Sequence, residues 1–405
     1  MNLESCKEEY AELIVCGGVR LKSGERVLIN SDVATQEMAR RVAQACYENG
    51  AAKVEIRWTD SHLDRMSLRY ADEDVLKTVS SWEELQMKEQ ADELPCLIHL
   101  LSSDPMEGGS FYADKQAVVR SARLQVLLPH ILRMRNRYKW TAVCVPTQAW
   151  ADMVFPDQKN NLEQLWTDVL TAVMVNGDGT SIQKWQTKLE NMWAHMDVLN
   201  HLSLRKLHLE SELGTDLWVE LHPKVRFCCA SGPEDEAFVN IPSEEIFTSP
   251  VAGKAEGTLV ASCPLIHENN YVDNLKLRFR NGAVTEVSAT EGEVFFRNLV
   301  QADEGAARLG EVAIVDRHAP VKGLGHLMYH TLYDENAACH IAVGHGFNFA
   351  VEDYKTCTPE EIADCGVNQS GIHCDVMWGT DQARITGITA SGDSVTILAD
   401  GEWQI

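Results

Sequence analysis

Apolar and polar positions along this chain change period several times, and the changes outline its elements. The run Val27-Leu28-Ile29 is followed by a stretch in which Met38, Val42, Ala43 and Cys46 share one helical stripe, closed by Asn49-Gly50. Lys53 to Trp58 then reads as the next strand. Strand, helix, strand in this order predicts a βαβ unit, and therefore a parallel sheet with helices on its faces. Cys96 to Leu101 and Trp140 to Val145 extend the pattern, with a helix around Lys115 to Leu127 between them. The amino-terminal part is expected to be an open, mostly parallel α/β domain.

Helical periodicity near Asn161 to Val175 and Ser181 to Leu202 leads into a different texture. From Lys206 onward come short strand-like runs, including Leu217 to Leu221 and Thr258 to Ser262. Leu275 to Arg280 and Ala283 to Ser288 flank Asn281-Gly282, the strongest short-range hairpin signal. The expected division is a 1–205 α/β domain and a 206–405 α+β domain.

Charge narrows the function classes. Thirty-six basic residues against 60 acidic ones give a formal charge of -24, which argues against nucleic acid or an anionic membrane as partner. The first ten residues lack a basic start and apolar run, and no stretch approaches the roughly 20 apolar residues of a span, so a cytoplasmic location is expected. Twelve scattered cysteines point to reduced thiols, and the adjacent pair Cys228-Cys229 to packing on opposite faces of a strand. The turn Asn30-Ser31-Asp32-Val33-Ala34-Thr35 has no glycine to admit a pyrophosphate, so no nucleotide cofactor is expected there.

The chemistry concentrates in the carboxy-terminal 165 or so residues, where six side chains suit divalent cations. Glu245 lies between Pro242 and Pro250, which predicts a rigid segment outside any regular ladder. Glu311 follows Gly310, read as the terminator of a helix over Glu304 to Leu309, and precedes the apolar run Val312 to Val315. Glu335 and His340 are five apart and converge if Asp334 caps a helix that Glu335 opens, with His340 one turn inside. His373 and Asp375 alternate on a strand and share one face. Cys339 and Cys374 are taken as packing residues, and His345 as a candidate supporting or substrate contact.

Together these phrases resemble the aminopeptidase T and aminopeptidase S family of dinuclear metallopeptidases. The likeness rests on Asn240 to Pro250, Asp303-Glu304-Gly305 with Leu309-Gly310-Glu311, Thr331 to Gly344 and His373 to Gly379. Tyr10-Ala11-Glu12-Leu13, Gly17-Gly18-Val19 and Gly24-Glu25 extend it to the amino end. The resemblance implies that Glu245, Glu311, Glu335, His340, His373 and Asp375 bind two metal ions, with Glu311 bridging. It also implies a homodimer.

The activity implied is hydrolysis of the amino-terminal residue of short peptides, using a water shared by two divalent cations roughly 3.5 to 4 Å apart. Zinc, cobalt and manganese all suit such donors. Glu244, next to a ligand, is the candidate general base. One departure stands out: Phe347 replaces the tyrosine that the family places seven residues after its histidine, removing a hydrogen-bond donor to a developing oxyanion. Tyr354, His345 or the metals alone would have to supply that stabilisation. Two alternatives remain: a mononuclear non-haem iron dioxygenase of the 2,5-dihydroxypyridine type, and a metal- or peptide-binding member with weakened catalysis. The first has no use for Glu245, Glu311, Glu335 and His340 together.

Overall fold

The computed structural model describes residues 2–102, 113–134, 137–230, 238–267 and 270–405. Two compact units emerge from the packing: Met1–Gln186 with Glu234–Ile241, and Thr187–Pro233 with Pro242–Ile405. The division thus falls inside the helix Ser181–His201 rather than at a linear boundary near 205, and a later segment returns to the first unit. That return has a plain cause in hydrogen bonding: the strand Phe238–Ile241 pairs in parallel with Trp140–Cys144.

The first unit contains a five-stranded parallel sheet. In spatial order its strands are Lys53–Thr59, Arg26–Asp32, Cys96–Leu101, Trp140–Cys144 and Phe238–Ile241. The expected βαβ unit is present, and the helix Gln36–Glu48 buries Met38, Val42 and Cys46 from the predicted stripe, with Ala39 and Ala45 completing it in place of Ala43. At the amino end the helix Leu3–Glu12 continues into a wider π-helical turn over Leu13–Gly18. Its Glu9 carboxylate accepts the backbone N–H groups of Gly177 and Ser181 at 2.7 and 2.9 Å. Burial alone would raise the Glu9 carboxyl pKa, but these donors hold it below the ordinary range.

The second unit is built on antiparallel sheets. Eight strands form the larger one, which includes the predicted hairpin as Lys276–Arg280 and Ala283–Ser288. Asn281 and Gly282 take φ of 51° and 75°, and a Cβ at Gly282 would lie 1.9 Å from Gly253, so only glycine fits the second position. A five-stranded sheet carries the chemistry. Its order is His373–Met377, His340–Gly344, Leu309–Val315, Glu245–Thr248 and Cys228–Cys229.

The two faces of this sheet are chemically opposite. Ile246, Val312, Ile314, Ile341, Val343, Cys374 and Val376 turn to the hydrophobic core. The register sets Glu245 opposite Val315, Glu311 opposite Ala342, and Ala342 opposite Asp375, with His373 opposite Gly344. The alternate residues therefore bring Glu245, Glu311, His340, His373 and Asp375 to the other face, among the methyl groups of Ala313 and Ala342 and the bare backbone of Gly344.

Three local expectations need correction. Glu245 is not held outside a ladder: it opens the strand Glu245–Thr248, which pairs on both sides, because the two prolines fall beyond its ends and cost it no hydrogen bond. Gly310 does not end a helix but lies within the strand Leu309–Val315. There a Cβ would meet the His345 carbonyl oxygen at 2.1 Å, so the glycine permits close backbone approach. His340 is not one turn inside a helix. The helix Thr331–Asp334 gives way to a 3-10 turn over Glu335–Ala337, and His340 begins a strand.

Candidate metal centre

Five of the six expected residues come from strand ends or strand interiors, and the sixth from the short turn before His340. Glu245, Glu311 and His340 present donor atoms within 4.8 Å of one another, and so do Glu311, His373 and Asp375. Glu311 is common to both groups. His340 Nε2 lies 3.0 Å from a Glu245 oxygen, while His373 Nε2 lies 3.2 Å from both Glu311 and Asp375.

Each imidazole is oriented from behind. His373 Nδ1 donates to the His345 carbonyl oxygen at 2.8 Å, and His340 Nδ1 donates to that of Ala338 at 3.1 Å. With Nδ1 so committed, Nε2 of both rings faces the carboxylates. His345, singled out as a supporting residue, contributes here through its backbone.

Glu335 belongs to neither three-residue group. Its carboxyl is pushed well above the ordinary range by burial first, and then by Asp375 and Glu245. Its neighbours in the chain hold the turn: Asn336 Nδ2 donates to the Leu332 carbonyl and its Oδ1 accepts the Glu244 N–H at 2.6 Å. Asp334 accepts the N–H groups of Met328 and His330, so its role is to fix the preceding loop and His330 takes the helix cap.

The electrostatics are those of a buried, mutually repelling anionic cluster. Glu311 is 3% exposed and His340 1%, so water screens neither. Burial raises the Glu311 carboxyl to about 7, against the lowering effect of the His373 hydrogen bond. Burial opposes protonation of the two rings, yet the adjoining carboxylates outweigh it and lift His340 to about 10 and His373 to about 12. Asp375 moves the other way, lowered by His373 despite its own burial. Positive charge is therefore favoured among these groups, and oxygen with imidazole nitrogen is a donor set that suits hard to borderline divalent metals.

Glu244 points elsewhere. Its carboxylate pairs with Lys188, which the sequence did not single out because a lysine inside a helix reads as a solvated face. Both side chains are buried, and burial pushes Lys188 down and Glu244 up, each countered by the other. Cys339 and Cys374 are buried packing residues as expected.

Phe347 stands beside the centre, its ring centroid 5.3 Å from that of His373. Its ring is tilted 30° to that of Phe349 and meets Phe247 edge-on, each at 5.1 Å between centroids. Tyr354 is packed instead with Val351, Ile362, Cys365 and Val367. Sequence reasoning missed Phe247 and Phe349, although Phe247 follows Glu245 by two and alternation would have placed both on one face. Asn368 was also missed; its Nδ2 donates to the carbonyl oxygens of Gly305 and Gly344, tying the approach to Glu311 to the end of the His340 strand.

Comparison with known proteins places this geometry in context. Aminopeptidase AmpS of Bacillus subtilis is 31% identical over 403 residues, covering 97% of each chain. Aminopeptidase T of Thermus aquaticus is 28% identical over 98% of each. The solved structure of wild-type AmpT from Thermus thermophilus matches with a TM-score of 0.90 at 28% identity, covering 99% of this chain and 100% of that one. The profile of the thermophilic metalloprotease (M29) family spans residues 4–403, and this chain belongs to that family.

Proposed function

We propose that this protein is a metal-dependent aminopeptidase that removes the amino-terminal residue of short peptides by means of two divalent cations. The observation that carries the reading is Glu311, shared by two donor groups on one polar sheet face. Glu245 and His340 would hold one ion and His373 and Asp375 the other, with Glu311 between them and Glu335 closing the set. Four carboxylates carry the charge that two divalent cations neutralise, which removes the repulsion evident at Glu311 and Glu335. Bound there, zinc, cobalt or manganese would lower the pKa of a water toward neutrality and polarise the scissile carbonyl.

The chain's own residues supply the rest. His345 and Ala338 carbonyls fix the two imidazoles with Nε2 turned to the carboxylates. We assign Glu244 to Lys188 rather than to the reacting water, since its carboxylate is already committed to a buried ammonium. Neither the family nor its named relatives support the dioxygenase alternative. Among the described residues no helix is long and apolar enough to cross a membrane; a cytoplasmic homodimer completes the reading.

Metal stoichiometry tests it. Two ions per chain are expected in the reconstituted protein, with hydrolysis of aminoacyl anilides restored after chelation by at least one of zinc, cobalt and manganese. Glu311→Gln should lose both ions and activity together. One ion per chain, or no turnover with any metal, would overturn the proposal.

A further inference from the structure

We infer that Phe247, Phe347 and Phe349 form the seat for the side chain of the substrate's amino-terminal residue, selecting large apolar and aromatic residues there. The inference rests on the aminopeptidase reading and names the substrate class of that site.

Three observations support it. Phe247 lies on the strand that begins with Glu245 and faces the same side, opposite Ala313 in register. The three ring centroids lie 5.1 to 6.0 Å apart, and the Phe347 ring stands 5.3 Å from His373. An apolar wall therefore begins where the polar donor cluster ends. Moreover, Phe347 and Phe349 are only half-buried, so their rings keep apolar area available to a ligand. The wall is held in place: the Phe347 N–H donates to Ser249 Oγ at 2.7 Å, and Ser249 is fully buried.

Selectivity follows from the two surfaces together. A leucine or phenylalanine side chain would leave water against the rings, gaining free energy in proportion to apolar area covered. Phenylalanine adds edge-to-face geometry of the kind already present between Phe247 and Phe347. An acidic side chain at that position would instead approach the carboxylates Glu311 and Asp375 beside His373. A small side chain would leave the rings uncovered.

The test uses the metal-loaded protein and anilides that differ only in their amino acid. Phenylalanyl and leucyl anilides should exceed the alanyl anilide in kcat/KM by on the order of tenfold or more. Phe349→Ala should collapse that ratio, and Phe349→Leu should restore most of it; unchanged metal content shows that the site has folded. As a second readout, L-phenylalanine should raise the Tm of the wild-type protein more than L-alanine does, a difference lost in Phe349→Ala. Preference for alanyl, lysyl or glutamyl anilide, or a ratio indifferent to Phe349→Ala, would overturn the inference while leaving the aminopeptidase reading intact. Hydrolysis of none of them would sink that reading, and the amino-acid Tm shifts would still decide the seat.

Discussion

Lys188→Met should be among the most damaging single substitutions outside the candidate ligands. Lys188 and Glu244 have side chains only 13% and 6% exposed, so the methionine would fill the space but leave a buried carboxylate without its cation. Removing one member of such a pair costs about 3 to 5 kcal/mol, because the remaining group keeps its desolvation penalty. For a unit of roughly 200 residues, about 2 to 4 °C is lost per kcal/mol, which gives a fall in Tm of about 6 to 20 °C. The surface pair Lys206 and Glu220, 50% and 39% exposed at 3.1 Å, provides the control. There Lys206→Met should cost no more than about 1 kcal/mol, since water already screens the charges. Replacing both Lys188 and Glu244 by methionine should recover much of the loss. Calorimetry on the two single variants and the double variant decides the matter. A Lys188→Met shift no larger than that of Lys206→Met, or a double variant as unstable as the single one, would refute the argument that burial sets the size of the effect.

Other outcomes can be checked in parallel. Glu9 has a depressed folded-state pKa, so its stabilisation is present above the unfolded value near 4.5 and is lost as pH falls through the folded one; Glu9→Gln should lower Tm at pH 7 and converge with wild type in acid. Asn368→Ala strands the Gly344 carbonyl oxygen at the end of the His340 strand, while that of Gly305 keeps the Arg308 N–H, and should cost about 1 to 3 kcal/mol in a denaturant titration. Phe347→Tyr places a hydroxyl next to His373 and should raise kcat with little change in KM; a fall in kcat with metal content unchanged would show that a hydroxyl there does not stabilise the developing oxyanion.

Much of the site was legible because its residues obey short-range rules. Alternation alone put His373 and Asp375 on one face, and the same rule applied to Glu245 and Phe247 would have found the aromatic wall. Three local contexts misled for a common reason. Prolines near Glu245, glycine before Glu311 and Asp334 before Glu335 are all standard punctuation, yet each serves a long-range contact: a strand flanked by prolines, a glycine admitting the His345 carbonyl, and a carboxylate gripping the N–H groups of Met328 and His330. Local propensity reports what a segment prefers by itself, and pairing across the sheet is worth more.

The sequence by itself determined the parallel α/β unit and the Asn281-Gly282 hairpin, because backbone period and turn chemistry are local properties, and it singled out six candidate donors. Tertiary structure brought Glu311 into two donor groups, as the resemblance implied, and it alone decided that Glu244 belongs to Lys188 and that three phenylalanines meet beside His373. These depend on contacts between segments far apart in the chain; in the sheet, a slip of one residue would turn the strand-borne donors into the apolar core.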